Sequence, residues 1–225
     1  MTKAFFHRTL TPAVKAAQER YYGRSLPRPG SAAGDTLGAD EIAFIEDRDS
    51  FYLATVNPEG WPYIQHRGGP RGFLKVLGPA ELGFADFRGN RQLLTTGNLQ
   101  GGARVCLFLM SYPHQTRLKL LGRAEVLGVE EDPALAERLI PPGSETVTER
   151  LFRIRVEAFD WNCPKFITPR FTEEEVAQAV RPLRDRIARL EAELTRLKAP
   201  AAGGTKPAPD PPSSSGEGPA GRDPR

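Results

Sequence analysis

Two arginines, Arg88 and Arg91, flank a glycine and an asparagine in a pattern suited to binding phosphate. They lie between a strand predicted to end at Phe87 and a helix predicted to start near Asn90. Free backbone N–H groups at a helix N-terminus favour an anion. Guanidinium groups add charge-assisted donors for phosphate oxygens, and Gly89 lets the backbone come close. The segment predicts a phosphate site; the alternative is a capped helix beside two solvated arginines.

Two further polar segments follow predicted strands. Residues 65–70, Gln-His-Arg-Gly-Gly-Pro, end a strand in polar side chains and two glycines, which leaves room for a flat ligand. An ordinary glycine-rich turn is the alternative. Residues 160–164, Asp-Trp-Asn-Cys-Pro, follow the last predicted strand, where Trp161 is more typical of packing than of stacking on a cofactor.

Several kinds of catalytic site are not indicated by the sequence. His7, His66 and His114 have no acidic or cysteine neighbour at metal-ligand spacing. Cys106 and Cys163 stand at neither metal-type nor redox-type spacing, which predicts two reduced thiols. The sequence has no nucleophile elbow, P-loop or GxGxxG motif. A self-contained acid–base or nucleophilic enzyme is therefore not expected.

Composition excludes some classes of partner. The chain has 225 residues, of which 39% are hydrophobic, so it can bury a core. A net charge of +3 with 26% charged residues is too balanced to indicate nucleic-acid binding. No signal peptide is recognised, and no apolar run approaches the roughly 20 residues that cross a bilayer. We expect a cytoplasmic protein that binds neither nucleic acid nor membrane.

Seven segments carry strand patterns, and short links join most of them. A continuous apolar run, Val105–Met110, predicts a strand that is buried on both faces. Consecutive strands with hairpin-length links predict an antiparallel sheet, and closure into a barrel would remove its exposed edges. The segments are 51–56, 63–67, 73–77, 82–87, 105–110, 117–127 and 152–158.

Capping residues predict the helices around these strands. Thr11 begins a helix in the N-terminal arm that Gly23 ends. Asp40 is predicted to cap a second helix and Asp132 a later one. A further helix is predicted over 90–99.

The C-terminal part has a different pattern. Thr172 and Glu175 form a capping box. Seven apolar residues then recur at alternating spacings of four and three: Val176, Val180, Leu183, Ile187, Leu190, Leu194 and Leu197. This heptad pattern fits either an amphipathic helix on the barrel or a short coiled coil across a dimer, and Pro182 is expected to kink or split the helix. Residues 200–225, rich in Pro, Gly, Ala and Ser, predict a disordered tail.

Taken together, five segments resemble the pyridoxamine 5′-phosphate oxidase-related, FMN-binding split-barrel proteins. They are residues 51–60, HRGG at 66–69, FADFRGNRQ at 84–92, GRAEV at 122–126 and DWNCP at 160–164. The resemblance covers about residues 40–170 and is closest to a branch with a DWNCP ending and a helical tail. It implies a mainly β, antiparallel Greek-key split β-barrel with flanking helices, and a homodimer with FMN between the subunits. The expected domains are an arm at 1–39, the barrel at 40–170, the heptad helix at 171–199 and the tail at 200–225.

The resemblance also implies a set of cofactor-binding residues. Asn90 and Arg91 stand where the oxidase has an adjacent basic pair, so Arg88 would supply the missing positive charge on the phosphate. His66, Arg67 and Gly68 match the strand that faces the flavin ring, with Gly69 bordering it. Three looser matches depart from the oxidase pattern: Arg117 at a ring-contacting glutamine, Asn162 near an aromatic residue, and Arg170 near a basic residue of the second subunit. Arg117 would favour the reduced, anionic flavin.

The expected function is that of an FMN-dependent oxidoreductase with an undetermined substrate. The alternatives are a flavin carrier or sensor without turnover, and a dimeric split barrel without cofactor. A deazaflavin or haem occurs in related barrels, but no histidine here stands out as an axial haem ligand. The oxidase's pyridoxal phosphate-binding residues have no counterpart, so vitamin B6 oxidation is not indicated.

Overall fold

The computed structural model describes residues 2–30, 33–161 and 165–198. The predicted tail at 200–225 and the candidate residue Asn162 lie outside these ranges. Within them the chain divides into two units, one up to Phe171 and one from Thr172.

Five helices and seven strands make up the first unit, with a short 3-10 helix at Glu145–Val147. The helices are α1 (Lys3–Thr9), α2 (Pro12–Tyr22), α3 (Ala39–Glu46), α4 (Leu94–Gly101) and α5 (Pro133–Leu139). The strands are β1 (Ser50–Val56), β2 (Pro62–Gly68), β3 (Lys75–Gly78), β4 (Glu81–Phe87), β5 (Arg104–Ser111), β6 (Thr116–Gly128) and β7 (Thr148–Trp161).

The strands form one antiparallel sheet in the order β2-β1-β5-β6-β7-β4-β3. β2 is an edge strand and β4 lies next to the opposite edge, yet Arg67 of β2 forms an ion pair with Asp86 of β4. The sheet must therefore curl until its two ends meet. This confirms the predicted mainly β, antiparallel barrel fold with flanking helices.

The core fills the inside of the curled sheet and joins strands that are far apart in the sheet order. The Phe51 ring of β1 lies 5.3 Å from the Phe84 ring of β4, centroid to centroid, and Phe84 stacks on Phe152 of β7 at 4.6 Å. Phe73 stacks on Phe51 at 5.5 Å. Aromatic pairs at these separations stabilise a fold beyond their buried area, so this cluster fixes the two ends of the sheet against each other.

Local capping signals predicted some helix ends correctly. Thr11 accepts a hydrogen bond from the Val14 N–H, and Gly23 ends α2 in the left-handed conformation with φ 68°. Asp132 accepts a hydrogen bond from the Leu135 N–H at the start of α5. Helix α1, which Thr2 caps, was not predicted.

Three sequence predictions are corrected by the structure. Helix α3 begins after Gly38, so Asp40 lies in its first turn and does not cap it. Helix α4 begins at Leu94 rather than near Asn90, because residues 88–93 form a loop. Strand β5 is buried on one face only: Val105, Leu107 and Leu109 are buried, while its other face is partly exposed.

The second unit contains a single described helix, α6 (Glu173–Lys198). The predicted capping box is present, since Thr172 Oγ1 accepts from the Glu175 N–H and Glu175 Oε2 accepts from the Thr172 N–H. The helix runs through Pro182 and is not split there. None of its residues is buried.

Among the described helices, none is both long and apolar enough to cross a membrane.

Candidate functional site

A polar cleft lies between β2, β4, the loop at 88–93 and the first turn of α4. Its floor comes from strand ends and its rim from the loop. The lining residues are Gln65, Arg67, Asp86, Phe87, Gly89, Asn90, Arg91, Leu93, Thr95, Thr96 and Arg150. Guanidinium groups thus converge here from three separate parts of the chain.

Arg67 is the most buried arginine of the cleft. Its side chain is 13% exposed and donates from Nη1 to Asp86 Oδ1. The guanidinium lies 5.2 Å from the Phe152 ring centroid and 5.8 Å from that of Phe84. Burial lowers the pKa of Arg67 from its usual range, and the Asp86 carboxylate opposes that effect. Arginine stays protonated under such conditions, so the cleft keeps a fixed positive charge.

The Nε of Arg67 is buried and has no hydrogen-bond partner among the described residues. A buried donor without a partner costs free energy, on the order of 1–3 kcal/mol. This atom belongs to a residue that lines the cleft. An anion bound there would offer the acceptor that the protein does not.

Asp86 joins two of the cleft arginines. It is 4% exposed and lies opposite Arg150 in the register of β4 and β7. Arg150 Nε donates to Asp86 Oδ2 at 3.0 Å, while Arg67 binds the other carboxylate oxygen. A buried carboxylate needs such partners, and here it holds both guanidiniums in place.

Glu149 organises the outer rim of the cleft. It accepts from Arg88 Nε at 3.2 Å and from Arg150 Nη2 at 2.9 Å, and its Oε1 lies 3.9 Å from Arg91 Nε. Desolvation raises the pKa of Glu149, but the hydrogen bonds from Arg88 and Arg150 outweigh it, so the pKa lies below its usual range. The rim carboxylate is therefore ionised at neutral pH.

The loop before α4 has an unusual backbone. Arg91 and Leu93 both have positive φ, at 60° and 55°. This conformation costs a non-glycine residue on the order of 1 kcal/mol, and such residues cluster at ligand clamps. Leu93 precedes α4 without a side-chain cap, so the first N–H groups of the helix, near Thr95 and Thr96, face no capping side chain.

The charges around the cleft do not cancel. Four guanidiniums (Arg67, Arg88, Arg91 and Arg150) surround two carboxylates (Asp86 and Glu149), which leaves an excess of two positive charges. This matches a phosphate monoester, which carries close to two negative charges at neutral pH. Across the described residues, no group of His, Cys, Asp and Glu could hold a metal ion. The cleft is thus suited to a phosphate.

A larger cavity, of about 550 Å³, lies elsewhere on the barrel beside Arg123 and Arg153. Arg123 pairs with Glu157, and Arg153 pairs with three carboxylates: Glu81, Glu125 and Asp132. Arg155 also lines this cavity, but the three arginines stand beside four carboxylates (Glu81, Glu125, Asp132 and Glu157), so the cavity has no excess of positive charge and is less suited to a phosphate than the smaller cleft.

The structure brings some of the predicted residues together and separates others. Asn90 and Arg91, predicted for the phosphate, line the cleft, and so does Arg67, which was predicted to border the flavin ring. Arg88 is not among the lining residues; its half-exposed side chain pairs with Glu149 at the rim. His66 lies on the opposite face of β2, since side chains alternate along a strand, and its ring contacts Tyr52.

The remaining predicted residues lie outside the cleft. Gly68 is exposed on the same side of β2 as His66. A Cβ on Gly69 would come within 2.7 Å of the Phe73 side chain, so packing requires this glycine. Arg117 lies over the Phe108 ring at 5.7 Å, and Arg170 over the Tyr112 ring at 4.9 Å. Asn162 falls outside the described residues.

Sequence reasoning missed Arg150 and assigned no role to Asp86. Asp86 interrupts the apolar strand Leu82–Phe87, and a carboxylate in such a strand signals a buried partner. Arg150 carried no comparable signal, because its position beside Asp86 depends on the pairing of β4 with β7. Thr95, whose hydroxyl donates to Gln65 Oε1 at 2.9 Å, was also missed.

The convex side of β2, β1 and β5 carries an exposed apolar surface, here called the outer face. Its most exposed members are Ile64, Val56 and Tyr52, at 64%, 53% and 40%. The strand register places His66 beside Tyr52, and Tyr52 beside Phe108. His66 thus belongs to the outer face, and the Phe108 ring of that face carries Arg117.

Comparison with known proteins identifies the family. A family model described as pyridoxamine 5′-phosphate oxidase matches residues 40–161. The chain belongs to the pyridoxamine 5′-phosphate oxidase family. The matched range holds the seven described strands and every residue that lines the cleft, which confirms the resemblance to the family; the closer resemblance to a branch with a DWNCP ending stays a prediction.

Several solved structures align with a little over half of the chain. A variant of HupZ from Group A Streptococcus is 15% identical, with 56% of this chain and 98% of that chain covered and a TM-score of 0.44. A Clostridium acetobutylicum protein of the pyridoxinephosphate oxidase family, related to general stress protein 26, is 16% identical (55% and 85% covered, TM-score 0.42). An FMN-binding protein from Syntrophomonas wolfei is 12% identical (54% and 83% covered, TM-score 0.39). No curated protein matches the chain.

Proposed function

We propose that this protein is an FMN-dependent oxidoreductase whose cofactor phosphate binds in the cleft. The observation that carries the proposal is the convergence of Arg67, Arg91 and Arg150 on one small cleft with an excess of positive charge. Membership of the pyridoxamine 5′-phosphate oxidase family supports the choice of FMN over other phosphate esters.

The residues present fit the phosphate of FMN. Arg67 Nε offers a buried donor without a described partner, and Arg91 offers a guanidinium at the rim. The uncapped N-terminus of α4 adds backbone N–H groups. Arg88, which is paired with Glu149 at the rim, adds positive charge near the phosphate. When bound, FMN supplies the electron or hydride transfer, while the protein supplies orientation and electrostatics.

We further propose that the outer face forms the seam of a homodimer. Apolar patches of this kind on a barrel mark interaction surfaces, and the family's FMN groove lies between two subunits. His66, Gly68, Gly69 and Arg117 would then border the flavin ring at the seam, with Asn162 and Arg170 near it. The proposed location is the cytoplasm, where the free thiol of Cys106 would stay reduced.

Ile64→Asp should weaken this dimer strongly. Ile64 is 64% exposed in the single chain, and two symmetry-related carboxylates would have to be buried in the seam. We expect the dimer dissociation constant to rise by about 100-fold or more, measured by analytical ultracentrifugation. Leu26→Asp, at an exposed leucine of the arm, is the matched control. Equal association of both variants would place the seam elsewhere.

Turnover distinguishes the oxidoreductase from its rival, a flavin carrier. We expect NADH or NADPH, added without oxygen, to bleach the absorption of the FMN-loaded protein, and air to restore it. Loaded protein that keeps its colour with both nucleotides would favour the carrier.

A further inference from the structure

Helix α6 carries an apolar stripe that runs its whole length. Six of the seven heptad residues are between 42% and 69% exposed, and Val180 is partly buried. The helix has 26 residues, or about 39 Å at 1.5 Å per residue. An isolated helix with such a stripe gains stability mainly by burying it against another surface.

The identities of the stripe residues indicate the kind of surface. The spacing places Val180, Ile187 and Leu194 at heptad position a, and leucine at three of the four d positions. Position d is occupied by Val176, Leu183, Leu190 and Leu197. Two of the three a residues, Val180 and Ile187, are β-branched, and β-branched residues at a combined with leucine at d favour a parallel, two-stranded coiled coil.

The residues flanking the stripe have complementary charges. In a parallel pair, position g of one helix faces position e of the next heptad on its partner. Arg186 at g would face the partner's Glu191 at e, and Glu193 at g would face the partner's Lys198 at e. Each pair occurs twice by symmetry, so four opposite-charge contacts would flank the two stripes.

Pro182 is compatible with this arrangement. It lies at heptad position c, on the side away from the stripe. The helix continues through it, so the stripe is unbroken from Val176 to Leu197. A proline on the side of α6 away from the stripe would not take part in contacts between two α6 helices.

We propose that α6 binds α6 of a second copy of this chain as a parallel, two-stranded coiled coil. We infer a second copy as the partner because, when two α6 helices lie parallel in the same register, the stripe of one meets the stripe of the other. In that register the charged residues at g also face residues of opposite charge at e. This contact is separate from the outer face, and it does not depend on flavin binding.

A charge swap tests both the partner and the orientation. Glu191→Arg should raise the dimer dissociation constant roughly 10-fold, because it places arginine opposite arginine twice in each dimer. The double variant Arg186→Glu with Glu191→Arg should restore the wild-type value. In an antiparallel pair aligned at its centre, Arg184 would face the partner's Glu191 and Arg186 the partner's Glu193. There the double variant would be weaker than either single change.

The measurement is analytical ultracentrifugation of the full chain, with every variant in the Ile64→Asp background. That background removes the contact proposed for the outer face, and all comparisons stay within it. If Ile64→Asp does not weaken the dimer, the charge-swap variants can therefore still be compared with one another in that background. Recovery in the double variant supports the proposal, whereas no response to Glu191→Arg, or further weakening in the double variant, overturns it.

A disulfide gives a second test that is independent of charge. With Cys106 and Cys163 replaced by serine, Leu183→Cys at position d should cross-link two full chains under mild oxidation. Asp185→Cys, at position f on the far side of the helix, is the matched control and should not. Equal cross-linking of the two variants, or none at Leu183→Cys, would contradict the coiled coil.

Discussion

Arg67→Met is expected to lower the affinity of the protein for FMN by about 100-fold. The change removes a guanidinium that lies in the cleft and has a buried Nε without a described partner. Hydrogen bonds to charged groups contribute roughly 1.5–3 kcal/mol each, and every 1.4 kcal/mol is about tenfold in affinity. It also leaves Asp86 with Arg150 as its remaining cleft partner, which makes the cleft less attractive to an anion.

The measurement is a fluorescence titration of the flavin-free variant with FMN. Arg71→Met is the control, because Arg71 is also paired with an aspartate, Asp47, but is 62% exposed and lies outside the cleft. We expect the control to bind FMN as the wild type does. Wild-type affinity in Arg67→Met would show that the phosphate does not bind in this cleft.

Asp86→Asn is expected to destabilise the flavin-free protein by about 3 kcal/mol in its free energy of unfolding. The side chain of Asp86 is 5% exposed and lies between the guanidiniums of Arg67 and Arg150. Removing one partner of a buried ion pair leaves uncompensated charge, which typically costs 3–5 kcal/mol. Asparagine keeps the shape of the side chain, so the loss reports charge rather than packing.

FMN should offset part of this loss. A ligand that binds only the folded state stabilises it, and a phosphate in the cleft would compensate the two guanidiniums that Asp86 no longer neutralises. Urea unfolding with and without saturating FMN measures both effects. Asp47→Asn is the control, since Asp47 also pairs with two arginines, Arg48 and Arg71, but its side chain is 45% exposed. It should cost less than about 1 kcal/mol; equal losses would mean that Asp86 has no special role.

The fold could be predicted from the sequence where local patterns determine it. Alternating side chains predicted β6 and β7, and apolar runs predicted β1 and β5. Thr11 and Asp132 marked the starts of α2 and α5, because a capping side chain bonds to a backbone N–H only three residues away. Helix α4 was placed too early. No side chain caps its start at Leu94, and no local sequence pattern predicts the positive φ of Leu93.

The site was predictable only in part, for a similar reason. Asn90 and Arg91 stand in one segment, but the resemblance to the family assigned Arg67 to the strand that faces the flavin ring and not to the phosphate. Asp86 of β4 meets Arg150 of β7, 64 residues away, through the register of two neighbouring strands. It meets Arg67 of β2 only because the sheet curls until its two ends come together. Neither contact follows from spacing along the sequence.

A comparison of FMN with riboflavin tests most directly whether the cleft binds the phosphate of FMN. The two ligands share the isoalloxazine ring and differ by the phosphate. In titrations of the flavin-free wild-type protein, we expect FMN to bind at about one per chain and riboflavin to bind about 100-fold more weakly, because it lacks the group that the arginines hold. Equal affinity for the two, or no uptake of FMN, would contradict the account.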